Sequence, residues 1–214
     1  MVLLKAAIFD LDGVIADTAK YHYIAWKRLA AELGFNFLKK DNELLKGVSR
    51  MESLEIILKI GNIQLNDKEK KKAAQRKNEW YVEYISNIDE SELLPGAENY
   101  LKHLKNKDVL IALGSASKNA GIILENSGIS HYFQAIVDGN EVSNAKPNPE
   151  VFLRAAKLLG KKPAECVVFE DAQAGIDAAK KGGMLCVAVG NADDLFGYDY
   201  IIKGLYEADK IPLF

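Results

Sequence analysis

From Pro95 onward, short apolar runs alternate with amphipathic stretches, and that rhythm admits few architectures. "DVLIALGS", "QAIVDG", "ECVVFED" and "MLCVAVG" read as buried strands, since their apolar residues follow one another without helical spacing. Helical patterns separate them: about residues 96–106, then "KNAGIILENSG", "PEVFLRAAKLLG" and "AQAGIDAAKKGG". Strand–helix alternation of this kind predicts a parallel sheet with helices on both faces. Residues 3–9 supply a first strand for the same sheet, and "DYIIKG" a last edge strand.

Between that first strand and Pro95 the period changes. His22, Trp26, Leu29 and Leu33 recur at four- and three-residue steps, one face of a helix that starts at Thr18 and stops at Gly34. "SRMESLEIILKIG" carries Ser49 as an N-cap, Glu52 three residues later and Gly61 as a stop. Residues 66–87 form a long charged segment with Trp80, Tyr81, Tyr84 and Ile85 near its end. The stretch from about 18 to 88 therefore reads as wholly helical. The expected fold class is α/β: a Rossmann-like parallel-sheet core of residues 1–16 and 90–214, carrying a helical cap domain, residues 17–89, inserted after the first strand. Its linkers fall near 14–18 and 88–94, and the closing "DKIPLF" shows no terminal helix.

Composition excludes some partners. A net charge of −2 over 214 residues provides no general field for nucleic acid or membrane. The basic runs "KDNELLK" and "NDKEKKKAAQRK" also hold acids and read as solvated helix faces. Cys166 and Cys186 lie in apolar runs and read as buried, reduced thiols. No apolar run reaches membrane-span length and the start lacks a signal-peptide layout, so a cytoplasmic monomer is expected.

In open parallel sheets the ligand crevice lies beyond the carboxyl ends of the strands. Those ends bring Asp10 and Asp12 of "IFDLDGVIADT", Ser115, and Glu170 with Asp171; Lys146 lies in the loop "SNAKPNPE". Clustered carboxylates repel each other unless a cation sits among them, and hard oxygen donors without histidine or cysteine favour Mg²⁺. A lone Asp-x-Asp equally fits a strand-end turn, but the second acidic pair and the lysine loop point to a site. A carboxylate can attack phosphorus to form an aspartyl-phosphate. At ~4 Å and an effective dielectric of ~20, each like-charge pair on that approach costs about 4 kcal/mol, which Mg²⁺ and Lys146 would offset.

"FDLDGVIADT", "GSAS", "KPNPEVF" and "FEDAQAG" resemble the four motifs of the haloacid dehalogenase superfamily. Within it, "YHYIAWKRLA", "LKGVSRMES", "RKNEWYV" and "SASKNA" resemble the β-phosphoglucomutases across essentially the whole chain. The resemblance implies a Mg²⁺-dependent isomerase acting on a small sugar phosphate. It would interconvert β-D-glucose 1-phosphate and D-glucose 6-phosphate through β-glucose 1,6-bisphosphate. By the same resemblance Asp10 is the nucleophile and Asp12 the general acid/base. Mg²⁺ is held by the Asp10 carboxylate, the Asp12 carbonyl, Glu170 and Asp171. Ser115 and Lys146 hold the transferring phosphate. Arg50, Ala116, Ser117, Lys118 and Asn119 take the other one. Thr18 and His22 position the acid/base, and Trp26, Gly47, Val48, Ser49 and Lys77 lie near the sugar.

Several of these residues carry a plainer reading. His22 shares its apolar face with Trp26 and fits a packed core histidine. Arg50 fits a solvated helix start, Lys77 a lysine-rich surface, and Ser117 to Asn119 a helix cap. Asp17 reads only as a helix-start charge. A phosphatase, in which water takes the phosphoryl group, is the rival enzyme, and a non-catalytic phosphate-binding domain the rival of another class.

Overall fold

A computed structural model describes residues 3–214. Six parallel strands form one sheet: β1 (Ala6–Phe9), β2 (Leu110–Gly114), β3 (Ala135–Val137), β4 (Cys166–Glu170), β5 (Leu185–Val189) and β6 (Tyr200–Ile202). Their order is β3-β2-β1-β4-β5-β6, so the strand order reverses beside β1 and opens a crevice there. The helices are α1 (Ala19–Glu32), α2 (Arg50–Ile60), α3 (Asp67–Ile85), α4 (Ala97–Asn106), α5 (Ala120–Asn126), α6 (Glu150–Leu158) and α7 (Gln173–Lys181).

The two-residue period of the strands sorts side chains onto opposite faces. Ala7, Phe9, Ile111, Leu113, Val167 and Phe169 enter one core, against α4 and α5. Ala6, Ile8, Ala112, Cys166, Val168 and Cys186 enter the other, against α6 and α7. Both cysteines are free and buried, as expected. Phe9 stacks on Phe169 with ring centroids 4.7 Å apart, and Tyr100 of α4 meets Phe169 edge-on at 5.5 Å. This aromatic group stands directly under Asp10 and Glu170, the next residues of their strands.

The segment between β1 and β2 begins with a helical block whose own apolar side chains continue the α4 and α5 core without a break. Ser49 caps α2 as expected, exchanging bonds with Glu52. Asn66 caps α3 through the same reciprocal pattern with Glu69, which the sequence reading passed over. The block is not wholly helical. Gly34 and Gly47 adopt positive φ, and between them lies a 3₁₀ segment, Lys39–Leu45. Its two chain crossings run side by side: Asp17 N donates to the Glu92 carbonyl at 2.9 Å and Leu94 N to the Ile15 carbonyl at 2.9 Å.

At the N-terminal end β1 starts at Ala6, later than the strand expected from residue 3, and the expectation that the core includes residues 1 and 2 lies outside the described residues. At the other end a 3₁₀ turn, Leu205–Lys210, packs Leu205 and Ala208 into the core. No helix among the described residues is long and apolar enough to cross a membrane.

Phe169→Ala is expected to lower unfolding free energy by about 3–5 kcal/mol, because it empties a fully buried site flanked by two rings. Urea denaturation followed by circular dichroism measures it; a loss below about 1 kcal/mol would show that the strand pair does not depend on this stack.

Candidate active site

Asp10 immediately follows β1 and Glu170 ends β4, so the parallel register of those neighbours brings their carboxylates to one edge. Lys146 reaches the same point from the loop after β3. Its ammonium lies 2.5 Å from Asp10 Oδ1 and 2.8 Å from Glu170 Oε2, and all three residues are buried. Burial alone would push the Lys146 ammonium down, but the two carboxylates outweigh it and hold it above its ordinary range. Ser115, after β2, is buried beside them and its Oγ accepts from Ser117 N at 3.1 Å.

Asp10, Glu170 and Asp171 each place an oxygen within 4.8 Å of the others. Burial pushes Glu170 up to about 7, with Asp10 adding to the shift and Lys146 opposing it. Asp171 is held well above the carboxylate range by burial first, then by Glu170 and Asp10. This is the charge excess a divalent cation relieves, and an all-oxygen donor set suits Mg²⁺. The backbone makes room for it: a Cβ at Gly175 would fall on the Glu170 carboxylate, and one at Gly13 on that of Asp171.

Asp12 stands apart from this trio. Burial and the Asp10 charge raise its carboxyl to about 6, while the Thr18 hydroxyl, which donates to Oδ1, and Lys77 pull the other way. His22 Nδ1 lies 2.8 Å from Lys77 Nζ, and its ring stacks on Tyr81 at 4.0 Å. Burial, then Lys77 and Arg50, hold the imidazole well below its ordinary value, so it is neutral. Lys77 is itself depressed by burial and by Arg50, and its ammonium sits 4.6 Å from the ring centres of both Trp26 and Tyr81. Lys77 is thus buried, not part of a solvated lysine face.

A cavity of about 100 Å³ collects most of the predicted residues. Asp10, Asp12 and Asp171 line it from the sheet edge; His22, Trp26, Gly47, Val48, Arg50 and Lys77 from the helical block; Ala116 to Asn119 from the loop after β2. Thr18 and Glu170 are buried and do not line it, and Ser49, Ser115 and Lys146 line a neighbouring cleft. Asn119 precedes α5 without a side-chain capping bond; its amide instead donates to Asn78 Oδ1 of α3 at 2.9 Å.

Sequence reasoning assigned no role to Lys46, Asn78 or Tyr81. Lys46 lies 3.8 Å from Asp171 and joins the helical block to the acidic trio. Tyr81 follows Lys77 by one helical turn, a spacing that shares a face and could have disclosed it. Its hydroxyl is buried without a hydrogen-bond partner among the described residues.

Residues 4–183 match the family model of haloacid dehalogenase-like hydrolases. The chain is 45% identical over 202 residues to a β-phosphoglucomutase of Bacillus subtilis, covering 94% of this chain and 89% of that one. It is 32% identical to a fructose-1-phosphate phosphatase of Escherichia coli, covering 85% and 94%. A crystal structure of β-phosphoglucomutase from Clostridium difficile superposes with a TM-score of 0.92 at 44% identity, covering 96% and 93%.

The raised carboxylates set the sign of a pH effect. Glu170 binds its proton more tightly folded than unfolded, so metal-free stability falls as pH rises from the ordinary carboxylate range through about 7. A cation needs the deprotonated form and binds better over the same rise. Magnesium is expected to raise the melting temperature more at about pH 8 than at about pH 6. Thermal melts with magnesium and with chelator at both values check this; an equal or smaller shift at the higher pH would count against the trio as the binding site.

Proposed function

We propose that this chain, which belongs to the haloacid dehalogenase-like hydrolase family, is a phosphomutase that interconverts β-D-glucose 1-phosphate and D-glucose 6-phosphate. The observation that carries the reading is one cavity lined both by the paired aspartates Asp10 and Asp12 and by a second set of phosphate-binding groups, Arg50 and Ser117 to Asn119. A hydrolase acting on one phosphate needs only the first set.

Asp10 is the nucleophile. Phosphorylated Asp10 gives its phosphoryl group to the 6-hydroxyl of β-glucose 1-phosphate, the bond from phosphorus to the Asp10 oxygen breaking as the new one forms; the freed carboxylate then bonds to the phosphorus at C1 as the bond to the C1 oxygen breaks, which restores the phosphorylated enzyme and leaves glucose 6-phosphate. β-Glucose 1,6-bisphosphate is the species between the two transfers. Lys146, already on Asp10, and Ser115 beside it hold the transferring group. Asp10, Glu170, Asp171 and the Asp12 carbonyl hold Mg²⁺, which when bound supplies positive charge against the repulsion between carboxylate and phosphate.

Asp12 gives its proton to the leaving oxygen and takes one from the attacking hydroxyl. A carboxyl raised to about 6 suits both tasks near neutral pH. Thr18 fixes its orientation, and the His22–Lys77 pair approaches it from the helical block, which serves as the cap closing over the sugar. Trp26, Gly47, Val48 and Ser49 belong to the same cap. The cap grips the second phosphate through the planar fork of Arg50, while Ala116 to Asn119 grip it from the core.

A product assay tests the assignment. β-Glucose 1-phosphate with magnesium and a trace of bisphosphate is expected to yield glucose 6-phosphate, and Asp10→Asn to abolish that conversion in a folded protein. Release of inorganic phosphate as the main product would favour the phosphatase.

Arg50→Ala separates the two readings further. Each charge-assisted bond of the fork contributes about 1.5–3 kcal/mol, so losing both is expected to cut interconversion by roughly 10²–10⁴-fold. Slow hydrolysis of an aryl phosphate, which has no second phosphate, is expected to stay nearly unchanged. Equal losses in the two specificity constants would assign Arg50 to folding instead.

A further inference from the structure

Two asparagines clasp α3 of the helical block to α5 of the core. Asn119, the residue before α5, donates its side-chain amide to Asn78 Oδ1 at 2.9 Å. Asn126, the last residue of α5, donates to the carbonyl of Ile85, the last residue of α3, at 3.1 Å. Both bonds join residues 41 positions apart in the chain. The spacing from Asn78 to Ile85 therefore equals that from Asn119 to Asn126, and the two helices run the same way with matched rise.

The two clasps differ in what they reach. Asn119 lines the catalytic cavity and belongs to the grip on the second phosphate, whereas Asn126 lies outside the cavity lining. Asn78 lies outside it too, although the preceding residue, Lys77, is part of it. Successive residues of a helix are turned by about 100°, so α3 gives Lys77 to the cavity and Asn78 to the core loop that borders it. A primary amide carries two N–H donors. Asn78 takes one from Asn119, whose side chain makes no capping bond to α5. The other donor is left for a ligand. The main chain of the same residue is held by the grip itself, since Asn119 N donates to Ser117 Oγ at 3.3 Å. Without Asn78 the amide is free to turn, and a phosphate has to order it on binding.

We propose that Asn78 is a positioning residue of the second-phosphate grip, holding the Asn119 amide in its binding orientation from across the boundary between block and core. This rests on the mutase reading and adds to it a residue that touches no substrate atom. Asn78 acts only through Asn119, and Asn126 supplies a clasp of the same kind that reaches no part of the grip. Having to immobilise one freely turning side chain weakens binding by roughly 2- to 10-fold.

The test is a double-mutant cycle on the specificity constant for conversion of β-glucose 1-phosphate to glucose 6-phosphate, measured with magnesium and a trace of bisphosphate. Asn78→Ala is expected to lower that constant by roughly 2- to 10-fold, mainly through KM. In an Asn119→Ala background the same substitution is expected to have no further effect, because the amide it acts through is gone. Asn126→Ala removes the other clasp and is expected to leave the constant at its wild-type value. Hydrolysis of an aryl phosphate, which has no second phosphate, is expected to stay unchanged in Asn78→Ala and in Asn126→Ala. Alanine is the best helix former, so α3 accepts the exchange, and melting temperatures establish that each variant is folded. An undiminished loss when Asn78→Ala is added to Asn119→Ala, or an equal loss in Asn126→Ala, would mean that Asn78 merely ties the block down, and it overturns the positioning role while leaving the mutase intact. An unchanged constant in Asn78→Ala overturns it as well. Absence of glucose 6-phosphate from the wild-type reaction overturns the mutase reading and the positioning role together.

Discussion

A buried ammonium between two buried carboxylates is the arrangement on which the site depends. Lys146 joins Asp10 and Glu170, which leave adjacent strands, and it arrives on a loop that no strand pairing holds in place. Taking three such charges out of water costs several kcal/mol apiece unless each finds its partner. Removing any one leaves the others buried and uncompensated. The same ammonium sits beside the carboxylate proposed as the nucleophile, where an approaching phosphate would need a counter-charge. Folding stability and reactivity therefore meet in one contact.

Around this triad the charges are graded. Asp171, toward the rim, answers to Lys46 from the helical block. Asp12 lies outside the trio and is raised to about 6, whereas Glu170 within it is raised to about 7. Carboxylates gathered at one sheet edge thus come to differ in proton affinity through their surroundings alone. His22 and Lys77 extend the pattern away from the sheet: two basic groups, each depressed by burial and by the same Arg50, are stacked on Trp26 and Tyr81.

The sheet and the residues at its edge were legible because both are local. Alternating strands and helices fix which residues stand at carboxyl ends, so Asp10, Ser115 and Glu170 could be placed together from the linear order. Contacts between the helical block and the core were not legible. Nothing near Asn78 announces Asn119, and nothing near Lys46 announces Asp171, because these pairs depend on how the block is laid over the sheet. The helical reading of 18–88 was too uniform around Lys39–Leu45, a 3₁₀ segment set off by turns, for a different reason. The stretch carries enough apolar and charged residues to imitate a helix, while Gly34 and Gly47 supply left-handed turns on either side.

The paired crossings at Ala16 and Leu93 bear on how such an enzyme diversifies. An insert whose two ends leave and return at hydrogen-bonded neighbours closes a loop the sheet would have to close in any case. Loop-closure entropy grows only slowly with the length enclosed. The sheet is then indifferent to what the loop contains. One scaffold can keep its reacting carboxylates unaltered and accept interchangeable cassettes at this doorway, each bringing a different molecule to the same chemistry.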